Sequence, residues 1–404
     1  MTSWQAGPGR DILRVHPFRG VRFTPRAGDL GDLTFTPPTS WSNVSEDLLD
    51  RVDPHHVMHL LAPAFSGEAH AGSRTVRDRL RSWLETGILR RDPEPAIYVY
   101  EQSAGEHTVV GVIAAVDLVS ARGPAFLDHE EVIDALVDAQ EQLERTAGAQ
   151  VEPILALHRG APALDSVLAK AMASDAVSDV VDTAGTLHRL WSVTDPDLQE
   201  RITDALADRA TLIADGHHRH AAWRRAASDN AGLAEGSALT LLTDAGQRGI
   251  RLGAVHRVIS GLSIDRATSS PAVESRPLED REAAVAFLSD GPPARCVLYA
   301  EGRYYAVTPA ERSPVCAAPE LAVCHLHSVW LPRWGITDAD VGYIHELDEA
   351  ISIADTGPLA VLLPITEMAE VFAAAEDGRP LPRKATSFGP KPLVGLVLRS
   401  WDRS

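Results

Sequence analysis

The chain has 404 residues, of which 45% are hydrophobic and 23% are charged, and its formal net charge is -18. This length predicts more than one domain, and the composition is ordinary for a folded globular protein. Because no block rich in Lys and Arg offsets the negative charge, we expect no nucleic-acid partner and no anionic membrane partner. No apolar run approaches the roughly 18 residues that a membrane span requires.

The number of cysteines and the composition of the first residues indicate in which cellular compartment the protein is expected. The chain has three cysteines, Cys296, Cys316 and Cys324, a number that cannot pair completely. A chain of this size does not depend on disulfides, so a cytoplasmic location is expected. Residues 1–10 are polar and lack the apolar segment of a secretory leader. Residues 324–327 have no second Cys/His pair at zinc-finger spacing, and a structural zinc site is not predicted.

Helices and strands are predicted to alternate in the N-terminal part of the chain. Residues 1–42 are rich in Pro and Gly and predict an extended arm with short strands, such as 20–24. Apolar residues then recur at three- and four-residue steps over 73–90, which predicts a helix. Turn and capping residues delimit the other elements: a helix start at 43–46, strands at 96–100 and 109–116 joined near Gly105, a helix at 131–147, a strand at 152–157, two helices around the strand 187–193, and paired strands at 239–243 and 250–255.

A shift in composition near Ser269-Ser270-Pro271 precedes a second α/β region. Its predicted elements are a helix, strands at 296–300 and 304–307, a helix at 346–353, a strand at 359–363, a helix at 367–376, a basic loop, and a strand at 393–398. The whole predicts a mixed α+β protein. We divide it into an arm and helical segment at 1–95, a core at 96–265 and a C-terminal α/β domain at 266–404.

The densest group of reactive side chains lies in one predicted strand-to-helix turn. An apolar strand ends at Asp215, Gly216 follows, and His217, His218 and Arg219 begin an Ala-rich helix. A helix N-terminus favours an anion, Gly216 lets a ligand approach the backbone, and Arg219 suits two parallel bonds to phosphate. Asp215 is placed to hold a metal ion or to orient a hydroxyl. The alternative is an acidic helix cap followed by solvated histidines.

Two further clusters carry groups suited to acid–base or phosphate chemistry. Where a loop meets a helix, Glu130 is a candidate general base that His129 would orient. The alternative is that the carboxylates there only favour the helix dipole. Residues 379–391 form a loop with three prolines and four cations, among them Arg383, Lys384 and Lys391. A stiff loop suits a phosphate clamp, and the alternative is a solvated basic loop on an acidic protein.

The order of these motifs resembles that of a known family. The pair His129-Glu130 before a helix, and then Asp215-Gly216-His217-His218-Arg219 after a strand, resembles the ParB/sulfiredoxin-like superfamily and, within it, the free-serine kinases. Over roughly residues 15–400 the chain is similar to the domain-of-unknown-function 1015 family. Weaker matches occur in the expected order at 97–100, 111–113, 188–191, 256–258 and 382–391. His220 stands where family members usually carry Tyr or a small residue.

The resemblance implies a ParB/sulfiredoxin-like core with additional α/β elements at both ends. It also implies a phosphotransferase that moves a phosphoryl group from a nucleotide or pyrophosphate to the hydroxyl of a small amino acid such as L-serine. Glu130 would take the hydroxyl proton, residues 216–219 would cradle the donor phosphates, and Asp215 would bind the hydroxyl or Mg²⁺. Arg383, Lys384 and Lys391 would bind the transferring or leaving phosphate. ATP, ADP, CTP and pyrophosphate all suit such a cradle.

Two other functions stay open at this point. A nucleotide-binding switch resembling the CTP-binding clamps of the same superfamily requires a basic, DNA-reading helix pair, and the net charge of -18 argues against that part. A non-catalytic scaffold that retains the fold is the other alternative. The predicted partners are a small-molecule substrate and a phosphate donor, and no oligomeric state is predicted.

Overall fold

The computed structural model describes residues 13–37, 49–61, 69–120, 123–124, 126–209, 211–228, 236–310, 318 and 320–401. Contacts group the chain into two compact units. Residues 1–127, 132–250 and 390–404 form the first unit, and residues 128–131 and 251–389 form the second. Both units combine helices with sheets, and the protein is of the mixed α+β class, as predicted.

A large mixed sheet is the centre of the first unit. In spatial order its strands are Ser178–Val181, Leu187–Val193, Ile97–Ala104, His107–Asp117, Ser237–Asp244, Ile154–His158 and Thr211–Asp215. Ser237–Asp244 runs parallel to Ile154–His158, and the other neighbours are antiparallel. Val15–His16 pairs with His107–Asp117 at one end. The central strands are buried along most of their length, which explains why their sequences are mainly apolar.

Helices and a small antiparallel sheet complete the first unit. The helices are Leu30–Leu33, Ala69–Glu85, Asp134–Ala147, Pro162–Ala171, Pro196–Leu206 and His217–Ser228, with 3-10 turns at Pro25–Ala27 and Val57–Leu60. The small sheet has the order Leu89–Arg91, Gly20–Phe23, Leu398–Ser400 and Ala149–Gln150, and Val119–Ser120 pairs with Gly123–Pro124. Local chemistry sets the helix ends: the Asp195 carboxylate accepts bonds from the N–H groups of Asp197 and Leu198, and Pro196 follows it.

An antiparallel sheet is the centre of the second unit. Its strands lie in the order Val273–Leu278, Arg303–Pro309, Cys296–Ala300, Leu359–Leu362, His256–Ile259 and Val341–Ile344, and Arg251–Gly253 pairs separately with Ser387–Gly389. The helices are Ile264–Thr268, Arg281–Asp290, Ala322–His325, Leu331–Trp334, Leu347–Ala354 and Met368–Glu376, with a π-helical turn at Leu326–Trp330 and a 3-10 turn at Asp338–Asp340. The consecutive residues Val297 and Leu298 point to opposite faces and belong to two different apolar clusters, so both faces of the sheet are covered.

The structure confirms most predicted elements and corrects others. Strand 187–193 and the hairpin at Gly105 are confirmed. The predicted pairing of 239–243 with 250–255 is wrong, because each strand pairs with chain segments that are distant in sequence. The strand predicted at 393–398 is formed only at its end, because Gly395 has a φ of +104° that interrupts extended backbone.

The start of one helix was predicted less accurately than the helix itself, and the proposed domain boundaries fall within the two compact units. The helix predicted from residue 131 begins at Asp134. The helix start at 43–46 and Cys316 lie outside the described residues. The boundary proposed between 95 and 96 falls within the first unit, and that between 265 and 266 within the second. The division into three domains stays a prediction.

A buried polar network joins several elements of the first unit. The Gln150 side chain donates to Glu144 Oε1 (3.0 Å) and accepts from Leu239 N (2.7 Å) and Arg399 Nη1 (3.3 Å). Arg399 also donates to the Ser237 carbonyl (2.9 Å). Burial raises the pKa of Glu144 to about 8, although Gln150 and Arg399 oppose the shift. Glu144 is therefore mainly protonated in the folded protein at neutral pH.

We expect Glu144 to make folding less favourable as the pH rises. Its pKa is higher in the folded chain than the ordinary 4.5, so its contribution to stability is full below about pH 4.5 and is lost as the pH rises towards 8. Glu144→Gln should therefore flatten the change in unfolding free energy between about pH 5 and pH 8, measured by urea titration. Exposed Glu200→Gln is the control and should keep the wild-type slope. An unchanged slope in Glu144→Gln would contradict the assignment.

Candidate functional site

The strand-to-helix turn at Gly216 has the predicted form. Strand Thr211–Asp215 ends one residue before it, and helix His217–Ser228 begins one residue after it. Gly216 has a φ of +103°, and a Cβ there would lie 3.1 Å from the guanidinium carbon of Arg219. The first N–H groups of a helix have no partners within that helix, and the positive end of the helix dipole favours an anion. Backbone conformation and limited space therefore both favour glycine at this position.

We expect Gly216→Ala to cost more stability than Gly28→Ala. Both glycines have nearly the same φ, +103° and +107°, but nothing lies within 4 Å of a Cβ at Gly28. Each variant should lose about 1–3 kcal/mol from the unfavourable φ, and Gly216→Ala should lose more because its methyl group displaces Arg219. Urea unfolding of both variants measures the difference. Equal losses would show that the contact with Arg219 contributes nothing.

Arg219 is buried and its guanidinium group contacts protein acceptors at both ends. Nη1 donates to the carbonyl oxygens of Glu152 (3.0 Å) and Pro153 (2.6 Å). Nη2 contacts carboxylate oxygens of Glu152 (2.9 Å) and Asp215 (2.6 Å). A guanidinium group has five N–H donors, so these contacts leave little capacity for a phosphate. The geometry supports a role in orienting Asp215, and the phosphate grip predicted for Arg219 stays a prediction.

Asp215 lies between two cations. Its Oδ2 faces Arg219, and its Oδ1 is 3.1 Å from the Nζ of Lys391. The side chains of Asp215 and Lys391 are 25% and 19% exposed, so both reach solvent. The structure thus brings Lys391, predicted from the basic loop, to the turn predicted from residues 215–219. A lysine ammonium has three N–H donors, so its pairing with Asp215 leaves donor capacity for a ligand.

Glu152 is a member of this cluster that the sequence reasoning missed. Burial raises its pKa and the neighbouring Asp215 raises it further, while Arg219 and Lys391 lower it. The available signal was one acidic residue within the apolar run 151–157, since a buried carboxylate requires a cationic partner. The sequence did not show which residue is that partner, because Arg219 follows 67 residues later.

The histidines of the turn have structural contacts of their own. The Nε2 of His218 accepts a bond from Ile133 N (3.0 Å), directly before the helix Asp134–Ala147. His217 is buried, and the ring of His220 packs edge-on against Phe126 with 5.2 Å between centroids. His218 therefore binds the backbone directly before the start of this helix. Phosphate binding by His217 and His218 stays a prediction.

In the second unit, Glu130 lies in a short segment that pairs with the basic loop. Leu381 N donates to the His129 carbonyl (2.7 Å), and Glu131 N donates to the Leu381 carbonyl (3.1 Å). Ala385 N donates to Glu130 Oε2 (3.2 Å). Burial raises the pKa of Glu130, while the charge of Lys384 and backbone bonds from Lys384 and Ala385 oppose the shift. A buried carboxyl with a raised pKa suits acceptance of a proton near neutral pH.

Arg257 holds this loop in place, and the sequence reasoning assigned it no role. It is fully buried and donates through Nη2 to the Lys384 carbonyl (2.9 Å) and through Nε to His327 Nε2 (3.2 Å). Its guanidinium carbon lies 4.6 Å from the centre of the Tyr343 ring. Burial and the charges of Arg257 and Arg383 lower the pKa of His327 to about 3, so this imidazole acts as an acceptor. The available sequence signal was an arginine within the otherwise largely apolar segment 255–259.

His129 contacts the same loop from outside it, and Arg383 is a member of the loop. His129 is fully buried, with its Nε2 2.8 Å from Thr386 Oγ1 and its ring edge-on to Phe388. Arg383 forms an ion pair with Asp338. The backbone of the basic loop therefore supports Glu130 and is more than a solvated surface. Proton transfer through His129 and phosphate binding by Arg383 and Lys384 stay predictions.

The donor set at Asp215 does not fit a preformed Mg²⁺ site. Mg²⁺ takes near-octahedral oxygen ligands, commonly one or two carboxylates together with substrate phosphates. Both oxygens of Asp215 face cations instead. Across the part of the chain that the structure describes, no group of three or more His, Cys, Asp or Glu residues is arranged to hold a metal ion. Within the same part, every helix is too short or too polar to cross a membrane.

The family model for proteins of unknown function DUF1015 matches residues 15–328. The chain belongs to this family. No curated protein matches it. Among solved structures, this DUF1015 chain is similar to a mutant free serine kinase in complex with AMP, at 14% identity and a TM-score of 0.38 over 67% of this chain and 88% of that one.

Two other solved structures are similar to the DUF1015 chain over 67% of its length. One is a conserved hypothetical protein from Pyrococcus furiosus, at 14% identity and a TM-score of 0.39 over 90% of that chain. The other is SbnI with a C-terminal truncation from Staphylococcus aureus, at 10% identity and a TM-score of 0.36 over 84% of that chain.

Proposed function

We propose that this protein transfers a phosphoryl group from a nucleotide or pyrophosphate to the hydroxyl of a small amino acid such as L-serine. The observation that carries the proposal is the placement of Lys391 beside Asp215 at the start of helix His217–Ser228. Both side chains are partly exposed, so a ligand can reach them. A helix N-terminus and a lysine ammonium each favour phosphate oxygens.

In this proposal the phosphates bind at the donor cluster, which we define as Asp215, Gly216, His217, His218 and Lys391, and Asp215 serves there to hold the ammonium of Lys391. The N–H groups at the start of the helix and the ammonium of Lys391 face the phosphate oxygens. Asp215, oriented by Arg219, keeps that ammonium in place. This arrangement supplies positive charge that is already positioned, which is the main requirement of phosphoryl transfer.

Glu130 supplies the base in this proposal. The hydroxyl oxygen of the acceptor attacks the terminal phosphorus of the donor, and the hydroxyl proton passes to the Glu130 carboxylate. The bond between that phosphorus and the leaving phosphate oxygen breaks, and the charge left on this oxygen is stabilised by Lys391 and the helix N–H groups. Arg383 and Lys384 contribute further positive charge. The raised pKa of Glu130 supports proton acceptance, and no step depends on a metal ion.

The sequence resemblance supports the choice of acceptor. The pair His129-Glu130 and the turn at residues 215–219 occur in the order that resembles the free-serine kinases, which suggests a hydroxy amino acid rather than a sugar or a protein. ATP, ADP, CTP and pyrophosphate all remain candidate donors. Backbone N–H groups and one lysine recognise phosphate oxygens and do not distinguish one nucleobase from another.

A matrix of donors and acceptors tests the proposal. Each of the four donors is incubated with L-serine, L-threonine, L-homoserine or no acceptor, and the products are read by phosphorus NMR. We expect a new phosphomonoester signal with at least one donor and one amino acid, and its loss in both Glu130→Gln and Lys391→Met. Donor hydrolysis without any ester would favour the nucleotide switch, and absence of both binding and reaction would favour the scaffold.

A further inference from the structure

A chain of buried hydrogen bonds leads to the segment that carries Lys391. Tyr100, in strand Ile97–Ala104, is 1% exposed, and its Oη accepts a bond from Leu393 N (3.1 Å). The same Oη lies 2.7 Å from Nδ1 of His188, and the two rings are stacked with an angle of 13° between their planes. Leu393 follows Lys391 by two residues, so this tyrosine binds the backbone directly beside the donor cluster.

The carboxylate of Asp182, at the other end of this row of hydrogen bonds, determines which atoms donate and which accept. His188 is fully buried, and its Nε2 lies 3.2 Å from Oδ2 of Asp182. Asp182 also accepts bonds from Thr186 N (2.8 Å) and from Thr36 Oγ1 (3.1 Å), which is the behaviour of an ionised carboxylate. Nε2 of His188 is therefore the donor, Nδ1 accepts from the Tyr100 hydroxyl, and the oxygen of Tyr100 is left to accept from Leu393.

The surroundings favour the same protonation states. Burial lowers the pKa of His188, although Asp182 opposes that shift, and burial raises the pKa of Tyr100. A neutral imidazole and a neutral phenol are the forms that the bond directions require. All the bonds are compatible with one another, so this group of three side chains defines a single arrangement.

Lys391 is placed to be affected by this anchoring. It stands between Pro390 and Pro392, and the proline ring restricts both its own φ and the residue before it. The next residues are held as well, since Val394 N donates to the Phe35 carbonyl (2.9 Å). With few free torsions between Lys391 and Leu393, the bond at Leu393 limits where the lysine side chain begins.

We propose that Tyr100, His188 and Asp182 are positioning residues for Lys391. They hold the backbone at Leu393 so that the ammonium of Lys391 meets Asp215 at 3.1 Å. A phenylalanine would pack in the same space, but it would leave the buried Leu393 N–H without an acceptor. The consequence for donor binding rests on the proposed function, whereas the consequence for the position of Lys391 does not.

Tyr98 provides a matched control within the same strand. It is fully buried, its Oη accepts a bond from Gly20 N (2.9 Å), and its hydroxyl donates to Asp92 Oδ2 (2.7 Å). Tyr98→Phe and Tyr100→Phe each remove one buried hydroxyl that binds one backbone N–H group. The described hydrogen bonds of Tyr98 lead to Gly20 and Asp92. Those of Tyr100 lead to His188 and Leu393, and Oε1 of Gln102 lies farther from its hydroxyl, at 3.5 Å. Within these bonds, only Tyr100 contacts the backbone beside Lys391. A purely structural role predicts similar behaviour for the two variants.

The experiment has one readout without a ligand and one with a ligand. The rate at which a small amine-acylating reagent modifies Lys391 is measured by mass spectrometry, and the affinities for pyrophosphate and ADP are measured by calorimetry. We expect Tyr100→Phe to raise the acylation rate and to weaken both affinities by about two- to tenfold each, the size of one hydrogen bond. Tyr98→Phe should change neither quantity. If Tyr100→Phe does not fold, Asp182→Asn is compared with the wild type instead, because it perturbs the same row of hydrogen bonds at the His188 end.

The outcomes separate this inference from the proposed function. If the wild-type protein binds neither pyrophosphate nor ADP but Tyr100→Phe alone raises the acylation rate, the positioning role stands and the phosphotransferase proposal fails. If the acylation rate of Lys391 is the same in the wild type, Tyr98→Phe and Tyr100→Phe, the positioning role is refuted whatever the binding data show. An equal rise in both variants would also refute it.

Discussion

Glu130→Gln should lower turnover by about 10²- to 10⁴-fold while donor affinity stays close to that of the wild type. Glutamine keeps the size of the side chain and can still accept the bond from Ala385 N through its amide oxygen. It cannot take the proton of the acceptor hydroxyl. Single-turnover kinetics with the active donor and acceptor measure the chemical step, and calorimetry measures donor affinity.

The neighbouring Glu131 is the matched control for this prediction. It is exposed, and Glu131→Gln changes the net charge by the same amount. Turnover near the wild-type rate is expected in that variant. Wild-type turnover in Glu130→Gln would remove Glu130 from the mechanism. Because the pKa of Glu130 is raised and its deprotonated form is the base, wild-type activity should fall as the pH is lowered through a pKa above 4.5.

Arg219→Ala should destabilise the folded protein by about 3–5 kcal/mol, the usual cost of removing one partner of a buried ion pair. The variant leaves the Glu152 carboxylate and the carbonyl oxygens of Glu152 and Pro153 without their donor. Arg219→Lys should recover little of this loss, because a single ammonium cannot reproduce a planar group that reaches these acceptors together. Urea unfolding measures both variants.

Arg225→Ala is the control on the same helix. Its side chain is 44% exposed and pairs with Asp138 and Glu141 near the surface. Such pairs contribute about 1 kcal/mol or less, so the control should lose little stability. A loss in Arg219→Ala no larger than that in Arg225→Ala would contradict the buried arrangement.

The effect of Arg219 on the donor can be separated from its effect on stability. Arg219→Ala should also weaken donor affinity, since Asp215 loses the partner that orients it. Adding Glu152→Gln removes the buried carboxylate that has lost its cation, and this should restore part of the stability. It should not restore donor affinity, because Asp215 remains unsupported. Recovery of both quantities together would show that Arg219 acts on the donor only through folding.

The features that were predictable depend on residues close in sequence. The turn at Gly216 was predicted in place because an apolar strand, one glycine and a helix follow each other within a few residues. The hairpin at Gly105 and strand 187–193 were predicted for the same reason. The pairing of residues 250–255 was wrong because a short turn suggests a local hairpin, whereas Arg251–Gly253 pairs with Ser387–Gly389.

The roles of individual side chains were less predictable than their positions. Arg219 was expected to contact phosphate, and it contacts Glu152, which lies 67 residues earlier. His218 was expected in the cradle, and it accepts a bond from Ile133. Tyr100 binds Leu393 across 293 residues, a relation that no local pattern reports. Glu152 was visible as an acidic residue in an apolar run, but Ile133 and Leu393 bond through backbone N–H groups that no side-chain pattern reports.

Local sequence was therefore sufficient for the mixed α+β class, for most elements and for the location of the Gly216 turn, since backbone conformation responds mainly to residues a few positions away. Which donors face which acceptors was established only by folding. A hydrogen bond requires its two atoms to lie within about 3 Å, and here the partners come from strands and loops far apart in the chain. The sequence predicted that Arg219 contacts phosphate, whereas in the folded protein its guanidinium group pairs with the carboxylate of Asp215.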